Sequence, residues 1–570
     1  AEGRGRALAQ SRARRGRGSA PQPTLTLAAM PRREKKAGKE KSLQQIEEED
    51  TEEAIDQIGL GMFHWEVYLI VGLFTAADSV EIGFISFVTE VLKQEWGLEE
   101  SAKATMEAMI FVGMLLGAPT WGWLADKYGR RPIMLISAMV VSIFGFLTAA
   151  CNSAGQLIPC RLMVGFGCSG CVVAFDVFAE LLPTDYRGPL TMSTFYWFTL
   201  GALYSNVCAK FLLCSMGWRT FTIVCALPTF VAAAAGFFLV PESAHWLVAE
   251  GRKKEAAEVL NGIAKRNGSP MRYSSLTMPE VLEEVGTMDL CTRSKLRRPL
   301  IFMMFTWVGW GLAYYGIALL LPHLFSEHKE LAKETQLPNM TTGATSVSQF
   351  INATAGATSA LSGIPNVTAG VLSLSEVVET ATSVSQKCYG LSFNFKDIII
   401  SNAGQACGLT VGVILVNRIG RKKTQAFLYF VAAVFAIGLG FPNWEKDILT
   451  IFSAVSLAAV NGASSCTWSH TPELFPTHAR VLATGICSAA ARLGAASSPY
   501  VISDLIPPFP TAMIMSSFSF MAMVTILFVK ETAGHKIEDD DIESSDDEAS
   551  EVSDMSDGDF NLNPRDIDME

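Results

Sequence analysis

Apolar residues occur along the chain in blocks of about 20, each bounded by charged residues, Gly or Pro. An α-helix of about that length crosses the hydrocarbon core of a bilayer. We therefore expect each block to form one membrane-spanning helix. The twelve blocks lie at about 66–91, 105–124, 132–150, 157–178, 190–213, 221–240, 300–321, 398–416, 425–441, 448–468, 481–502 and 512–529. The pattern predicts an all-α membrane protein with twelve transmembrane helices.

Two motifs recur at nearly the same distance along the chain. Asp126-Lys-Tyr-Gly-Arg-Arg131 returns as Asn417-Arg-Ile-Gly-Arg-Lys422, at an offset of 291 residues. Glu180-Leu-Leu-Pro-Thr-Asp-Tyr-Arg187 returns as Glu473-Leu-Phe-Pro-Thr-His-Ala-Arg480, at an offset of 293. In each half the first motif follows the second span and the second motif follows the fourth. The repeat predicts two six-helix bundles in parallel orientation.

Lysine and arginine in the short loops indicate the orientation, because these residues concentrate on the cytoplasmic side of a membrane. They follow spans 2, 4, 8 and 10 and fill the linker after span 6. All of them share one side if both termini do, and we expect that side to be the cytoplasm. The predicted parts are a disordered tail (1–60), a first bundle (61–241), a cytoplasmic linker (242–298), a second bundle (299–530) and a disordered acidic tail (531–570).

The second bundle contains a long loop, 322–395, that this topology places outside the cytoplasm. It carries three glycosylation sequons, at Asn339, Asn352 and Asn366. Such sequons are glycosylated on surface loops of proteins that enter the secretory pathway, so we expect a glycoprotein modified at these three residues. A fourth sequon, at Asn267, lies in the predicted cytoplasmic linker and should remain unmodified.

The composition excludes a soluble enzyme as the main body of the chain. Hydrophobic residues make up 49% of the 570 residues and charged residues only 18%, below the roughly 25% of soluble domains. The net charge of −11 comes from residues 538–570, whose 15 acids and one base carry −14 and leave +3 for the rest. Because no phosphate loop, nucleophile elbow or metal cluster is evident in the sequence, we expect neither enzymatic activity nor a cofactor.

Several motifs resemble those of a known family. Residues 122–131 match the loop signature that follows the second helix in the major facilitator superfamily, and Pro241-Glu-Ser-Ala244 resembles the motif after helix 6 of sugar and organic-ion porters. Ala77-Asp-x-x-Glu81, Gly217-Trp-Arg219 and Tyr314-Tyr-Gly316 are similar to the synaptic vesicle 2-related branch. The resemblance covers about residues 63 to 534 and implies the major facilitator fold.

The resemblance also implies a function. It is that of a secondary active transporter of a small organic solute, an organic ion or a sugar-like molecule, which works by alternating access. Proton coupling, for example as symport, is a hypothesis. The alternative is a vesicle membrane component or receptor with little or no transport. The expected partners are the solute, protons and the bilayer, with no nucleic acid, and the expected form is a monomer. Its location would be the plasma membrane or a secretory or synaptic-type vesicle.

Two carboxylates, Asp78 and Glu81, lie within the first predicted span. Each is expected to cost roughly 2.5–3.5 kcal/mol at mid-bilayer, so packing alone would not retain them. Their spacing of three residues puts both on one helix face, which should turn toward an aqueous cavity. Because two close carboxylates cannot both ionise cheaply, we expect one to hold a proton. The pair would then couple protons or bind a cation, unless both residues simply lie in the hydrated outer interface.

Four further polar residues in predicted spans are candidates for solute or ion binding: Asp176, Arg492, Asn461 and His470. A buried arginine could neutralise a carboxylate or bind an anion, whereas Asn461 and His470 could equally be satisfied by a neighbouring helix. Arg161 could pair with a carboxylate or reach to the interface. The residues leave a cation, an anion and a neutral polyol open as the solute.

The repeated motifs are predicted to gate the cytoplasmic side. Their ion pairs would hold the outward-facing state and break when the protein opens inward, although the basic residues could serve only to anchor the topology. Because Asn417 replaces the acid Asp126, the second copy of the motif should hold the outward-facing state more weakly than the first copy does. The candidate gating residues are Asp126, Gly129, Arg130, Arg131, Glu180, Arg187, Asn417, Arg421, Glu473 and Arg480.

Overall fold

The computed structural model describes residues 44–277, 293–328, 391–441, 443–475, 480–503 and 505–532. The predicted glycosylation sites Asn339, Asn352 and Asn366 lie outside the described residues. So do residues 1–43 of the predicted N-terminal tail and residues 533–570 of the acidic tail.

The first half of the chain begins with a short strand and helix and continues as six helical spans. Strand β1 is Gln44–Asp50 and helix α1 is Thr51–Ile58. The first three spans are α2 (Met62–Trp96), α3 (Glu100–Tyr128) and α4 (Arg130–Thr148). The fourth span consists of α5 (Ala154–Cys168) and α6 (Cys171–Leu181), and the sixth is α10 (Trp218–Leu239). The fifth span consists of α7 (Thr184–Ser193), α8 (Phe195–Cys208), a π-helical segment (Ala209–Leu213) and α9 (Cys214–Met216).

The linker and the second half follow. The linker contains helices α11 (Ala244–Ala249) and α12 (Lys253–Asn267) and strand β2 (Met271–Thr277). Helix α13 (Ser294–Leu324) leads to β3 (Ser326–His328), which pairs antiparallel with β4 (Leu391–Phe393). The remaining spans are α14 (Phe395–Ile419), α15 (Arg421–Gly438), α16 (Lys446–Glu473), α17 (Arg480–Ile502) and α18 (Pro508–Ile526).

Within the described residues, ten helical spans are long and apolar enough to cross a membrane. The helices α15 and α17 occupy the other two positions. Helix α15 begins with Arg421, Lys422 and Lys423, and α17 is rich in alanine, serine and glycine, so both are less apolar than the rest. Together they complete the predicted order of twelve helices, and the prediction of an all-α membrane fold is confirmed.

The packing repeats in the two halves. In the first half α3 packs on α5, α2 on α8 and α4 on α10. The second half has the matching pairs, with α14 on α16, α13 on α17 and α15 on α18. The halves meet where α3 contacts α17, α8 contacts α14 and α2 contacts α13. The predicted arrangement of two six-helix bundles is therefore confirmed, and the second, fifth, eighth and eleventh spans form much of the interface.

Glycine allows the second and fourth spans of each half to approach closely. A Cβ atom on Gly165 would lie 1.9 Å from the carbonyl oxygen of Ile110, and one on Gly408 would lie 1.8 Å from that of Ala458. Small residues at such crossings permit backbone contact between membrane helices, which have no hydrophobic drive to associate within lipid. Both glycines are thus required by the helix crossing itself.

The N-terminal segment is tied to the linker rather than disordered, which corrects the predicted tail for residues 44–58. Strand β1 pairs in parallel with β2, in the register Gln44–Met271 to Asp50–Thr277. Thr51 Oγ1 donates a hydrogen bond to the Thr277 carbonyl oxygen at 2.7 Å. The acidic run concealed the apolar face of α1, where Ala54, Ile55 and Ile58 are buried, because only the folded linker supplies a surface to cover it.

Two linker side chains reinforce this contact. The Tyr273 hydroxyl lies 3.1 Å from the Ala54 carbonyl oxygen, and burial raises the pKa of Tyr273 to about 12. Asn267 donates from Nδ2 to the Gly59 carbonyl oxygen at 3.2 Å and accepts at Oδ1 from the Phe63 amide at 3.2 Å. The amide of Asn267 is thus engaged in the fold, in keeping with the prediction that its sequon stays unmodified.

We predict that Gly165→Ala lowers the midpoint of thermal unfolding of the detergent-purified protein, because overpacking a tight contact typically costs about 1–3 kcal/mol. The matched control is Gly155→Ala on the same helix, where an added Cβ atom would have no neighbour within 4 Å. Fluorescence-detected thermal unfolding measures both midpoints. Equal midpoints for the two variants would contradict the close helix crossing.

Candidate functional site

A small cavity of about 20 Å³ lies between the two halves. Its walls come from α2 and α8 of the first half and from α13 and α14 of the second. Five polar side chains line it: Ser79, Ser86, Asn206, Tyr314 and Asn402. The Nδ2 atom of Asn206 is buried and donates to no acceptor among the described residues. Because an unpaired buried donor is costly, this amide is available to hydrogen-bond a solute.

Asp78 connects the halves beside this cavity. Its Oδ2 atom lies 3.7 Å from Arg492 Nη2, so α2 of the first half meets α17 of the second through an ion pair. Arg492 Nη1 also donates a hydrogen bond to the Tyr315 hydroxyl at 2.6 Å. The other carboxylate oxygen, Oδ1, accepts no hydrogen bond from the part of the chain that the structure describes. A charged pair with one open acceptor therefore spans the interface.

Glu81 has a different partner, within its own half. Arg161 Nη1 donates to Glu81 Oε2 at 2.7 Å, and Arg161 Nη2 donates to the Thr148 hydroxyl. The guanidinium carbon lies 5.1 Å from the centre of the Phe84 ring. Arg161 is fully buried, which excludes the alternative that it reaches to the interface.

Asp78 and Glu81 each have a separate arginine partner. Each carboxylate lies against its own guanidinium, since α17 and α5 approach α2 from different sides. Sequence spacing places two acids on one helix face, but it does not show which neighbouring helix each acid meets. That one of the two acids holds a proton stays a prediction.

Asn461 supports the cavity wall from behind. Its Nδ2 atom donates to the Gln405 carbonyl oxygen at 3.3 Å. The Gln405 side chain accepts from the Tyr314 hydroxyl at 2.9 Å and donates to Asn402 Oδ1 at 2.8 Å. Both Tyr314 and Asn402 line the cavity, so Asn461 is placed to position lining residues rather than to contact a solute.

None of the six predicted binding residues is among the described residues that line the cavity, and His470 and Asp176 make contacts elsewhere in the fold. His470 Nδ1 is 2.9 Å from Gln425 Nε2, and its Nε2 is 3.0 Å from the Lys530 carbonyl oxygen. Both ring nitrogens are thus satisfied by neighbouring segments of the second half. Asp176 is half-buried and lies 4.0 Å from Arg130 Nη1. It belongs with the repeated motif, because it precedes Glu180 by one helical turn on α6.

The repeated motifs form two matching ion-pair clusters, one in each half. In the first, Arg130 Nη1 lies 2.7 Å from Glu180 Oε1, and the Ser243 hydroxyl donates to Glu180 Oε2 at 2.5 Å. In the second, Arg421 pairs with Glu473, and the Thr532 hydroxyl donates to Glu473 Oε2 at 2.6 Å. These ion pairs join elements within a half. The gating role of Arg130, Glu180, Arg421 and Glu473 stays a prediction.

In each cluster a glutamate caps the helix that follows the repeated glycine turn. Gly129 and Gly420 have φ angles of 100° and 90°, which favour glycine. Glu242 accepts the amides of Arg130 and Arg131, both at 3.0 Å. Glu531 accepts the amides of Arg421 and Lys422 at 2.9 and 3.1 Å. Each carboxylate thereby meets the positive end of a helix dipole.

The capping role of Glu242 and Glu531 was missed in the sequence, although a signal was present. They stand 289 residues apart, close to the offsets of the two recognised motifs, and each is followed by a hydroxyl residue. The cavity residues Asn206 and Asn402 were missed because a single amide in an apolar span has no distinctive pattern. Tyr314 entered only as part of the family resemblance.

Three of the remaining predicted gating residues have described contacts. Arg131 Nη2 donates to the Phe237 carbonyl oxygen at 2.6 Å, and Arg187 Nη1 lies 3.1 Å from Glu52 Oε1. The Asp126 carbonyl oxygen accepts from Trp246 Nε1 at 2.8 Å. Asn417 lies in the last turn of α14 and Arg480 is the first residue of α17.

The architecture defines a class. Two matched six-helix bundles, with a polar cavity between them and buried charges on the first span, constitute a multi-pass membrane protein of the major facilitator type. A sequence model described as sugar (and other) transporter matches residues 67–310 and 386–542. Because the match covers more than half of the chain, the chain belongs to this family of transporters.

Individual relatives agree with this assignment. The chain is 27% identical over 496 residues to the synaptic vesicle 2-related protein of Xenopus laevis, covering 86% of this chain and 82% of the relative. It is 28% identical over 492 residues to that of Bos taurus, with the same coverage. Among solved structures, the inward open xylose transporter XylE from E. coli matches with a TM-score of 0.58 and 16% identity, covering 85% of this chain and 99% of that one. The predicted resemblance is confirmed, and the structural likeness establishes the fold.

We predict that breaking the Glu81–Arg161 pair destabilises the protein. Removing one partner of a buried pair leaves an uncompensated charge and typically costs about 3–5 kcal/mol. Arg161→Gln should therefore lower the thermal unfolding midpoint strongly, and the double variant with Glu81→Gln should recover much of the loss. The matched control is Arg252→Gln, which removes an exposed pair with Glu255 and should leave the midpoint unchanged. Additive effects of the two buried substitutions would argue against the pair.

Proposed function

We propose that this protein is a secondary active transporter that carries a small polar organic solute through the central cavity by alternating access. The observation that supports it most directly is the placement of the cavity, which side chains of both halves line. A solute held there contacts both bundles, so rocking of one bundle against the other exposes it to either side in turn.

The lining favours a neutral, hydroxyl-bearing solute among the three classes that the sequence leaves open. Its side chains offer hydroxyls and amides from Ser79, Ser86, Asn206 and Asn402. The nearest charges, Asp78 and Arg492, compensate each other. A charged solute would have to displace one of them and leave a buried charge unpaired, whereas a polyol can satisfy the open donor of Asn206 and the open acceptor of Asp78.

Contacts between the halves indicate which end must separate during transport. The rings of Phe111 and Tyr315 lie 4.8 Å apart, and those of Phe87 and Phe395 lie 5.7 Å apart. Each contact joins one half to the other, and the contact of Phe87 with Phe395 lies on the side of the cavity toward β3 and β4. This side is the predicted outer side, and it is closed in this conformation. Opening it requires these aromatic contacts to part while the packing within each half persists.

Proton coupling is proposed to act through the two buried carboxylate–arginine pairs. A proton on Glu81 or Asp78 would cancel the charge of that carboxylate and release its guanidinium, which would then need another acceptor. A solute hydroxyl in the cavity can serve as that acceptor for Arg492. Binding of proton and solute would in this way support each other, as symport requires.

The location and the form of the protein are also proposals. We propose that both termini lie in the cytoplasm. We also propose that the protein is a monomer in the plasma membrane or in a secretory or synaptic-type vesicle. Support for the vesicle comes from the similarity to the synaptic vesicle 2-related proteins. The alternative function, a vesicle receptor or component with little transport, shares the same cavity and differs in the absence of flux.

A thermal-shift screen of the purified protein with polyols and sugars, organic cations and organic anions tests the solute class. We expect stabilisation by neutral polyols or sugars, and a loss of at least half of the shift in Asn206→Ala. The matched control is Asn443→Ala, which alters an exposed loop residue and should retain the full shift. Stabilisation by charged solutes alone would contradict the proposed class. Stabilisation without counterflow in proteoliposomes would favour the receptor.

Coupling predicts that uptake of the identified solute into proteoliposomes depends on an inward proton gradient. Asp78→Asn should abolish this dependence while counterflow, which needs no net proton movement, persists. The control is Glu255→Gln on the exposed face of α12, which should behave as the wild type. If uptake by the unaltered protein is independent of the proton gradient, the proposal of proton coupling is wrong, whereas the proposal of transport still stands.

A further inference from the structure

A second group of buried charges lies between the halves, apart from the central cavity. It consists of Glu90 on α2, Lys103 and Glu107 on α3, and His323 on α13. Lys103 Nζ pairs with Glu90 Oε1, and His323 Nδ1 lies 3.3 Å from the same oxygen. The Thr89 hydroxyl lies 2.5 Å from Glu107 Oε1. We refer to these four charged residues as the outer cluster.

The outer cluster joins the two halves at the end opposite the repeated motifs. Three of its members belong to the first half, whereas His323 is near the end of α13 in the second. One turn before Glu90, Phe87 contacts Phe393 and Phe395, with ring centres 5.5 and 5.7 Å apart. The first turn of α14 adds Asp397, whose carboxylate accepts a hydrogen bond from Asn394. The cluster therefore forms where the outer side is closed.

The charges of the outer cluster balance only when it holds a proton. Two carboxylates, Glu90 and Glu107, face one permanent cation, Lys103. Glu100 also faces Lys103 but is itself paired with Lys93, so these two residues add no net charge. With a neutral His323 the cluster carries −1, and with a protonated His323 it carries none. Burying an uncompensated charge is unfavourable, and Glu90, Lys103 and Glu107 are all buried in the closed interface.

The proton can be supplied from solution. The His323 side chain is 34% exposed, whereas that of Glu90 is 8% exposed, so the imidazole lies at the boundary between solvent and the buried acids. Histidine is the side chain that ordinarily changes charge between about pH 5 and 8. When the halves separate, the carboxylates become hydrated. Their negative charge is then stabilised by water, and protonation of His323 is no longer favoured.

Glu107 also contacts a hydroxyl on the neighbouring helix. The Thr89 hydroxyl lies near two acceptors, the Ile85 carbonyl oxygen at 2.8 Å and Glu107 Oε1 at 2.5 Å. One hydroxyl hydrogen can serve only one of them. A neutral hydroxyl therefore does not supply the counter-charge that Glu107 needs, whereas a protonated His323 does.

We propose that the outer cluster is a proton-binding site that closes the outer side of the protein, so that acidification favours the closed conformation. The site is distinct from Asp78 and Glu81 and needs no solute. It would make the outer opening respond to the pH of the compartment that it faces. An acidic compartment would keep this side shut until another event, such as solute binding, opens it.

The test is hydrogen–deuterium exchange of the purified full chain without solute, at pH 5.5 and 7.5 and corrected for intrinsic exchange rates. Peptides from the outer ends of α2 and α13 report the opening. One linked proton can change the opening equilibrium by up to about tenfold per pH unit. We expect these peptides to be at least about threefold more protected at pH 5.5.

Two substitutions at one position and a matched control separate this proposal from a general effect of pH. His323→Gln should remove the pH response and leave the outer ends exposed at both pH values. His323→Arg, which carries a permanent charge, should keep them protected at both. His245→Gln is the control, because His245 lies 3.9 Å from Glu52 in the linker region, and it should respond as the wild type does.

The same measurement can overturn the proposal. Equal protection of the wild type at both pH values, or a pH response that persists in His323→Gln, would do so. If His323→Gln fails to fold, His323→Arg still decides the matter, since a remaining pH response in that variant contradicts the proposal. Failure of solute transport would leave this result untouched, because the experiment uses no solute.

Discussion

The electrostatic cost of placing a charge in a hydrocarbon environment governs the interior of this protein. Three buried carboxylates have a counter-charge on a neighbouring helix: Glu81 with Arg161, Asp78 with Arg492, and Glu90 with Lys103. Such pairs contribute little net stability compared with apolar packing, but removing one partner is severe. The helices can therefore rearrange only in ways that keep each charge compensated or hydrated. This requirement connects the packing of the bundles with any movement between them.

The pairs differ in what they join. Glu81 and Arg161 hold α2 and α5 together within the first half, as Arg130 with Glu180 and Arg421 with Glu473 do at the other end of each half. Asp78 with Arg492 and Glu90 with His323 instead join the two halves. Contacts of the first kind preserve each bundle as a rigid body, and contacts of the second kind must change when the bundles move. The ionic contacts thus divide into those that define the bundles and those that define the conformational state.

The internal repeat extends further than the two recognised motifs. Five features of the first cluster recur in the second half. They are the glycine turn, the arginine, the glutamate of the fourth span, the capping glutamate and the adjacent hydroxyl, at Gly420, Arg421, Glu473, Glu531 and Thr532. The whole cluster therefore repeats as a unit. In the second copy Asn417 replaces Asp126, yet the contacts between Arg421, Glu473 and Glu531 are the same. The lost acid leaves the core of the cluster intact.

The sequence by itself determined the number of spans, their division into two matched halves and the residues of the first span that carry charge. These features follow from local composition and spacing, because bilayer thickness sets helix length and a repeat is visible without a structure. The partners of these residues are visible only in the tertiary structure. Asp78 and Glu81 face separate arginines, and the motif ion pairs stay within a half. His470 is satisfied by Gln425 and Lys530, and residues 44–58 pair with the linker. Partners depend on which helices become neighbours and at what depth they cross, and residues hundreds of positions apart share no local signal.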